Sequence, residues 1–294
     1  MPEPADGQAP VLDLGQITDP VLVFGGPYSN LQATKALLDR AKELGIPPER
    51  IICTGDVVAY CAAAAETTAL VRQSGVHVVR GNCEISFADG AGDCGCGFDE
   101  GSTCDQLSAR WFSYARERLD NDATDWMRRL PGQIVFEMAG RRLAVVHGAP
   151  SSVNRFVFPS TPATEKLAEI SLSKCDGVIC GHSGLPFTQI LGSALWHNAG
   201  VIGLPANDGT RRTWFSLLTP RDDGLRLDHL PLEHDAEGAS ADMAANGLPQ
   251  EYATTLTTGL WDNCDILPED ETAKQGKPLQ FSPAFWPHLQ DAAE

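Results

Sequence analysis

The sequence predicts an α/β fold built on a largely parallel β-sheet. Short apolar runs alternate with amphipathic helical segments along the first eighty or so residues. Each run has the length of a buried strand, and each ends in Gly and polar residues. This strand–loop–helix alternation is typical of βαβ units, whose ligands bind outside the carboxyl ends of the strands. A functional site is therefore expected at one edge of the sheet.

Three strand–loop–helix units open the chain. The pattern predicts strands at 21–24, 50–53 and 76–79, and helices at 31–44 and 66–74. The first helix has a capping residue in Ser29 or Asn30 and a stop signal in Gly45. Because all three strands are mostly apolar, we expect them to be buried in one sheet.

Residues 86–104 interrupt the alternation with a stretch rich in Gly, Asp and Cys. Beyond it, the pattern predicts helices at 107–119, 122–129, 162–174 and 250–259, and strands at 134–139, 142–146, 177–180, 189–191, 194–197 and 213–217. The last three of these strands fit a second sheet. The predicted organisation is a lead-in at 1–18, a main domain at 19–230 with a Cys-rich insertion at 83–106, and a helical or irregular extension at 231–294.

The charge of the chain excludes several classes of partner. Its 294 residues include 39 Asp and Glu against 22 Lys and Arg, which gives a formal charge of −17. Nucleic-acid backbones and anionic membrane surfaces repel such a chain, so we expect neither as a partner. A small phosphorylated substrate remains compatible, because phosphates also bind at helix N-termini and metals. A homo-oligomer is compatible as well.

Localisation is predicted from the N-terminal segment and the apolar runs. Residues 1–16 carry acids, Pro and Gly, but no basic segment followed by an apolar one. No apolar run approaches the roughly 18–20 residues that cross a membrane. We therefore expect a cytoplasmic protein. Its nine Cys residues then indicate metal binding, redox chemistry or burial rather than a full disulfide framework.

Four strand ends carry side chains that bind metals. Asp56, Asn82, His147 and His182 each follow a predicted strand, so we expect them at the same edge of the fold. One carboxylate, one amide and two imidazoles suit a divalent transition metal, namely Mn, Fe or Zn. A Gly-Asp pair or a single His after a strand is more often structural, so only the ordered set is specific.

This ordered set resembles the motifs of the calcineurin-like metallophosphoesterases. The matching blocks are Gly55-Asp56, Gly81-Asn82-Cys83-Glu84, His147-Gly148, Gly181-His182-Ser183-Gly184 and Asn198-Ala199-Gly200-Val201-Ile202-Gly203. The resemblance covers residues 21–218. It implies a four-layer αββα sandwich with two mixed β-sheets. It also implies phosphatase or phosphodiesterase activity, in which two metal ions polarise the phosphate and present a hydroxide to phosphorus.

The chain departs from the family pattern at one of the two metal sites. Gly26, Tyr28 and Gly184 stand where the family has an aspartate and two histidines as ligands. The resemblance implies that the four strand-end residues survive as ligands of the second metal. Cys83 replaces a histidine that the family uses in catalysis. Its thiol is expected to act as a general acid or, alternatively, as a thiolate ligand.

The Cys-rich insertion is a second signal. Cys83, Cys94, Cys96 and Cys104 lie within 22 residues. Four thiolates can hold zinc or an iron–sulfur cluster, although this spacing matches no standard motif. Three interpretations remain open: a second Zn or Fe site on these thiols, a disulfide or redox pair among the last three, and free thiols. In a variant of the first, the thiols and Tyr28 rebuild the lost metal site.

The surviving ligands and the resemblance predict a metal-dependent hydrolase of a small phosphate monoester or diester. Asn82 is expected to fix the phosphate, with Cys83 and His147 completing the catalytic set. Arg155 follows the His147 loop and is expected to bind substrate, a surface ion pair being the alternative. The competing hypothesis is a non-hydrolytic sensor or interaction protein that binds metal or thiols, including redox chemistry at a mixed Cys/His iron site.

Overall fold

The computed structural model describes residues 10–98 and 101–288. The strands are β1 (Val11–Gln16), β2 (Val21–Phe24), β3 (Ile51–Cys53), β4 (His77–Val78), β5 (Gln133–Met138), β6 (Arg141–Val145), β7 (Gly177–Cys180), β8 (Phe187–Leu191), β9 (Ala194–Asn198), β10 (Thr213–Arg221), β11 (Gly224–Leu232) and β12 (Ala284–Pro287). The helices are α1 (Leu31–Glu43), α2 (Ala64–Ser74), α3 (Asn82–Asp89), α4 (Thr103–Arg116), α5 (Asn121–Arg128), α6 (Ala163–Ser173), α7 (Ala236–Ala245), α8 (Gln250–Thr258) and α9 (Glu269–Thr272).

The strands form two mixed sheets. One has the order β1-β5-β6-β7-β9-β8, and the other has the order β12-β11-β10-β2-β3-β4. In the first sheet, β6, β7 and β9 run parallel. In the second, β2, β3 and β4 run parallel, while β10 pairs with β2 in the antiparallel direction. Helices cover both outer faces, so the predicted α/β fold with two mixed sheets is confirmed.

Alternate side chains of the short strands face different layers of the core. In β2, Val21 and Val23 face the first sheet and pack among Ile134, Phe136 and Val145. Leu22 and Phe24, on the opposite face, pack against residues of α1 and α2. On the outer face of the first sheet, residues of α6 pack against β7 and β9. Both faces of these strands are buried, which explains their continuous apolar sequence.

Several elements differ from the predicted organisation, among them β8 and β9, which lie in the sheet of β6 and β7 and not in one sheet with β10. The lead-in contains β1, an exposed edge strand that pairs in parallel with β5 through its backbone. The strand β11 was not predicted and pairs along its whole length with β10. The extension contributes β12, whose Trp286 is fully buried between the sheets. Residues 1–9, 99–100 and 289–294 of the predicted lead-in, insertion and extension lie outside the described residues.

Within the described part of the chain, no helix combines the length and the apolar character needed to cross a membrane. The predicted cytoplasmic location remains a prediction.

Two buried histidines link the sheets. His197 of β9 and His229 of β11 stack with their ring centroids 4.7 Å apart. Thr188 Oγ1 lies 2.8 Å from His197 Nδ1 and 2.9 Å from His229 Nε2, and Ser216 Oγ lies 3.1 Å from His229 Nδ1. Burial lowers the pKa of His229 to about 4. Burial, and then the neighbouring His229, hold the pKa of His197 well below its usual value. Both rings are therefore neutral at pH 7.

We expect the free energy of unfolding to decrease as the pH falls from about 6.5 to about 4. The unfolded chain takes up protons near the ordinary histidine pKa, whereas these folded rings resist protonation, so acid favours unfolding. For His229 the loss is roughly 3 kcal/mol, complete below its folded pKa. Urea denaturation across this pH range measures the effect. His229→Gln keeps the hydrogen bonds and should flatten the profile, and equal slopes for the two proteins would contradict this prediction.

Candidate metal centre

The carboxyl ends of strands from both sheets meet at one site. Asp56 lies in the loop after β3, and Asn82 is the first residue of α3, directly beyond β4. His147 follows β6, and His182 follows β7. All four side chains are buried. The structure thus brings together the four residues that the sequence predicts as metal ligands.

Their ligand atoms converge on His147 Nε2. That nitrogen lies 3.0 Å from Asn82 Oδ1, 3.0 Å from His182 Nδ1 and 3.2 Å from Asp56 Oδ2. One ligand atom from each of Asp56, His147 and His182 lies within 4.8 Å of the other two. Mutual distances of this size are close to those between ligands that share one transition-metal ion, given metal–ligand bonds of about 2.0–2.2 Å.

This cluster is rich in hydrogen-bond acceptors. His147 Nδ1 lies 2.7 Å from the carbonyl oxygen of Thr54, so Nδ1 carries a proton and donates it. Asn82 Nδ2 donates to the carbonyl oxygen of Cys94 at 2.9 Å, so Asn82 Oδ1 faces the cluster as an acceptor. A neutral His147 then directs a lone pair towards the acceptors Asn82 Oδ1 and Asp56 Oδ2. A cation among them would satisfy all four groups, so the donor set fits one metal ion.

The electrostatics of the site also favour a cation. Burial opposes ionisation of Asp56, but the neighbouring His147 and His182 lower the pKa of Asp56. Burial opposes protonation of His147, yet the Asp56 carboxylate outweighs it and raises the pKa of His147. Burial, and then His147, lower the pKa of His182 to about 3, so His182 is neutral. The site attracts positive charge to its centre, and a divalent ion would displace that proton.

Two residues without a predicted role hold the ligand loops. Glu84 of α3 is fully buried, and its carboxylate accepts from the backbone N–H groups of Asp56, Val57 and Gly81 at 2.7–2.8 Å. Asn198 Nδ2 donates to the carbonyl oxygen of Gly181 at 2.8 Å, next to His182. Glu84 had a sequence signal, because an acidic residue three positions after a helix N-cap forms a capping box.

The ligand loops contain unusual backbone conformations. Asp56 and His182 have φ angles of 55° and 52°. For a residue with a side chain, this left-handed conformation costs roughly 1–2 kcal/mol. The hydrogen bonds that Glu84 accepts from one loop and that Asn198 donates to the other offset that cost. The loops therefore present Asp56 and His182 in conformations that the local sequence alone does not favour.

Cys83 lies beneath the site rather than at its surface. Its side chain is 1% exposed, and its backbone N–H donates to Asp56 Oδ1 at 3.2 Å. Among the described residues, Cys83 belongs neither to the ligand group nor to the lining of the adjacent cleft. Burial, and then Asp56, raise the pKa of Cys83 well above its usual value, so it is a thiol. The structure gives it contact with Asp56 but no access to substrate, and it supports neither the general-acid role nor the thiolate-ligand role.

The remaining cysteines do not form the expected four-thiol site. Cys94 and Cys96 are joined by a disulfide, which leaves no thiolate on either. Cys104 Sγ donates to Asn263 Oδ1 at 3.2 Å. Burial, and then Asp56, raise the pKa of Tyr28 well above its usual value, so its side chain is a phenol. Of the alternatives, the structure contains the disulfide between Cys94 and Cys96, and the second Zn or Fe site on these residues stays a prediction.

Arg155 does not occupy the position expected of a substrate-binding residue. Its guanidinium pairs with Glu169 and, at 2.5 Å, with Glu165, both on α6. Of the described residues, those that line the cleft beside the metal ligands do not include Arg155. The two carboxylates already neutralise this cation, so the structure shows the ion-pair alternative.

The second metal ion that the family resemblance implies does not fit this chain. Gly26 stands where the family has a carboxylate ligand, and the ring of Tyr28 lies directly over it. A Cβ atom at position 26 would be 2.4 Å from Tyr28 Cζ, and the φ of Gly26 is +38°. The aromatic ring fills the space that a side chain at position 26 would need. Gly26 and Tyr28 are therefore coupled, and together they close this metal site.

The position of the other lost histidine ligand also lies beside an aromatic ring. Gly184 has a φ of +73°, and a Cβ atom there would lie 3.6 Å from Cζ2 of Trp261. A longer side chain at position 184 would meet this indole ring. Trp261 comes from the segment after α8, far along the chain. Aromatic rings thus stand beside both glycines that replace metal ligands.

A cleft opens beside the ligands. It contains about 780 Å³ of space, including the part open to solvent, and Asp56 and His182 line one side of it. The lining also includes Tyr252 of α8 and Trp261 of the segment that follows. A ligand in this cleft would therefore reach the metal centre directly.

The comparisons with known proteins agree with this architecture. A model of the calcineurin-like phosphoesterase superfamily domain matches residues 22–222. The uncharacterised protein MJ0912 of Methanocaldococcus jannaschii is 23% identical over 256 residues, covering 81% of this chain and 98% of the relative.

Two solved structures share the fold. Hypothetical protein PH1004 of Pyrococcus horikoshii has a TM-score of 0.67 and 20% identity, covering 82% of this chain and 99% of its own. A metallophosphoesterase of Sphaerobacter thermophilus has a TM-score of 0.65 and 18% identity, covering 83% and 100%. At these identities, the likeness shows the fold alone.

We expect the purified protein to hold a single divalent metal ion per chain, because the four ligands fit one ion and Tyr28 closes the second site. Elemental analysis of protein purified without chelators measures this. His182→Ala should lose the ion, whereas His229→Gln, which removes a buried histidine elsewhere, should retain it. Two ions per chain, or a content that His182→Ala leaves unchanged, would overturn this assignment.

Gly26→Ala should destabilise the protein by about 2–4 kcal/mol, because the new Cβ meets the Tyr28 ring and the positive φ is unfavourable. Gly90→Ala is the matched control, since Gly90 also has a positive φ of +66° but open space around it. In a Tyr28→Ala background, the cost of Gly26→Ala should fall towards that of the control. Urea denaturation of the four variants measures the coupling, and additive effects would show that the ring does not close this space.

Proposed function

The chain belongs to the calcineurin-like phosphoesterase superfamily, and from this premise we propose that it hydrolyses small phosphate monoesters or diesters with a divalent metal ion. One observation carries the proposal: a carboxylate oxygen, an amide oxygen and two imidazole nitrogens, all buried, converge at distances that suit one metal ion. The open cleft beside this point supplies room for substrate.

The bound metal would lower the pKa of a coordinated water and neutralise charge on the phosphoryl oxygens. Asp56, His147, His182 and the amide oxygen of Asn82 would hold it. The Thr54 carbonyl oxygen fixes the tautomer of His147 by accepting from Nδ1–H, which leaves Nε2 free as a ligand. Several other residues hold these ligands in place, as the Glu84 carboxylate does for the Asp56 loop.

A second candidate is a non-hydrolytic metal-binding sensor or interaction protein. Two observations favour it. The residues do not fit the second metal ion, and a disulfide between Cys94 and Cys96 lies beside the site, with Asn82 Nδ2 3.4 Å from Cys96 Sγ. A mononuclear site lacks the clamp on attacking and leaving oxygens that two ions provide. Slow or specialised hydrolysis is therefore expected from the first candidate, and none from the second.

Asp56→Asn should lower kcat/KM for phosphate ester hydrolysis by at least about 100-fold, because it removes the anionic ligand. Release of p-nitrophenolate from p-nitrophenyl phosphate and from its bis ester, with Mn²⁺, Fe²⁺ or Zn²⁺ added, measures the reaction. Asp122→Asn, an exposed acid in the first turn of α5, is the matched control and should retain activity. A wild-type protein that holds one metal ion but turns over no more ester than Asp56→Asn would favour the non-hydrolytic candidate.

A further inference from the structure

The lining of the cleft beside the metal ligands is largely aromatic. Six rings line it, and they come from five separate segments of the chain: Tyr28, Tyr60, Phe98, Phe156, Tyr252 and Trp261. All except Tyr28 are only half-buried. Half-buried rings of this kind that face one cleft are unusual in a monomer surface, and they mark a binding site for an apolar group.

The rings form a continuous lining that begins at the metal centre. Phe156 stacks on the ligand His182 with centroids 4.3 Å apart. On the other side, Tyr28 contacts Tyr60 at 4.7 Å, and Tyr60 contacts Tyr252 at 4.5 Å. A flat group attached to a metal-bound phosphate would therefore meet aromatic rings on leaving the metal.

Trp261 is held in a fixed orientation beside Gly184. Its indole Nε1–H donates to the carbonyl oxygen of Pro205 at 2.8 Å, and its backbone N–H donates to Asn207 Oδ1 at 2.8 Å. The polar edge of the indole is satisfied by the protein, so the ring face is available for apolar contact. This arrangement is preorganised, which reduces the entropic cost of binding a flat ligand.

The charge of the lining selects against highly anionic ligands. Of the described residues that line the cleft, none is Lys or Arg, and the acidic ones are Asp56 and Asp262. A phosphate monoester carries close to two negative charges at neutral pH, whereas a diester carries one. One divalent ion and one acidic ligand leave little positive charge for a dianion, so a monoanion is the better match.

We propose that the substrates of this site are phosphate diesters in which the ester group that remains on phosphorus is flat and aromatic, and that this group stacks on the rings of Trp261 and Phe156. The inference rests on the proposed function and narrows its substrate class. In the reaction, the hydroxide of one water bonds to phosphorus and one P–O ester bond breaks. The proton of that water passes to the departing alkoxide, so the products are a monoester and an alcohol.

Two diesters with the same leaving group test the aromatic contact. Bis(p-nitrophenyl) phosphate and methyl p-nitrophenyl phosphate both release p-nitrophenolate, and they differ in the group that remains on phosphorus. For each protein, the kcat/KM for bis(p-nitrophenyl) phosphate is divided by the kcat/KM for methyl p-nitrophenyl phosphate. The wild-type ratio is then divided by the Trp261→Leu ratio, which cancels the intrinsic reactivities of the two esters. We expect this quotient to be roughly tenfold, in line with stacking on one aromatic ring. Trp261→Phe should restore most of it. A quotient near one would overturn the proposal.

The monoester p-nitrophenyl phosphate tests the charge argument. The wild type should use it with a lower kcat/KM than methyl p-nitrophenyl phosphate, although both present the same leaving group. Preference for the monoester would contradict the assignment to diesters. Metal content measured on each variant shows whether Trp261→Leu has kept its folded metal centre, with Trp261→Phe as the second variant if it has not.

Equilibrium binding separates this proposal from the proposed function. Titration calorimetry of the metal-loaded protein should show tighter binding of diphenyl phosphate than of dimethyl phosphate or phenyl phosphate, and Trp261→Leu should weaken only the first substantially. If this pattern appears without hydrolysis of any ester, the hydrolase function fails and the aromatic site stands. If esters are hydrolysed but diphenyl phosphate binds no better than dimethyl phosphate, the aromatic site fails and the hydrolase stands.

Discussion

The meeting of four electron-rich atoms around His147 Nε2 is the constraint on which this site depends. The Thr54 carbonyl oxygen forces the proton of His147 onto Nδ1, and the remaining lone pair then faces the oxygens of Asp56 and Asn82. Such an arrangement is unfavourable in a buried place unless a proton or a metal ion lies between the groups. The two sheets supply the rigidity that holds them together, because each ligand sits directly beyond a buried strand.

The surrounding structure supports the ligands by satisfying the backbone around them. Glu84 accepts hydrogen bonds from three backbone N–H groups of the Asp56 and Asn82 loops, and Asn198 donates one to the loop of His182. These buried hydrogen bonds stabilise the left-handed backbone at Asp56 and His182. The cost of an unusual conformation at a functional position is thus met by residues that touch neither substrate nor metal.

Aromatic rings occupy the half of the site where the family resemblance implies another metal ion. Tyr28 occupies the space over Gly26, and Trp261 lies beside Gly184. A side chain at Gly26 would collide with the Tyr28 ring, and one at Gly184 would lie against the Trp261 ring, so rings line both positions where the family has ligands. The result is a centre with one set of ligands and an apolar wall, which suits a ligand that is partly flat and weakly charged.

The local patterns of the sequence determined an α/β fold and placed four polar residues at strand ends, because apolar runs define buried strands and parallel strands place their ends at one edge. The arrangement in two mixed sheets was implied by the family resemblance. The sequence did not determine β12 or the roles of Cys94 and Arg155. Those depend on partners distant in the chain or on local pairing that composition does not specify. Tertiary structure alone decided that Trp261 faces Gly184, because a contact between segments so far apart leaves no periodic signal in the sequence.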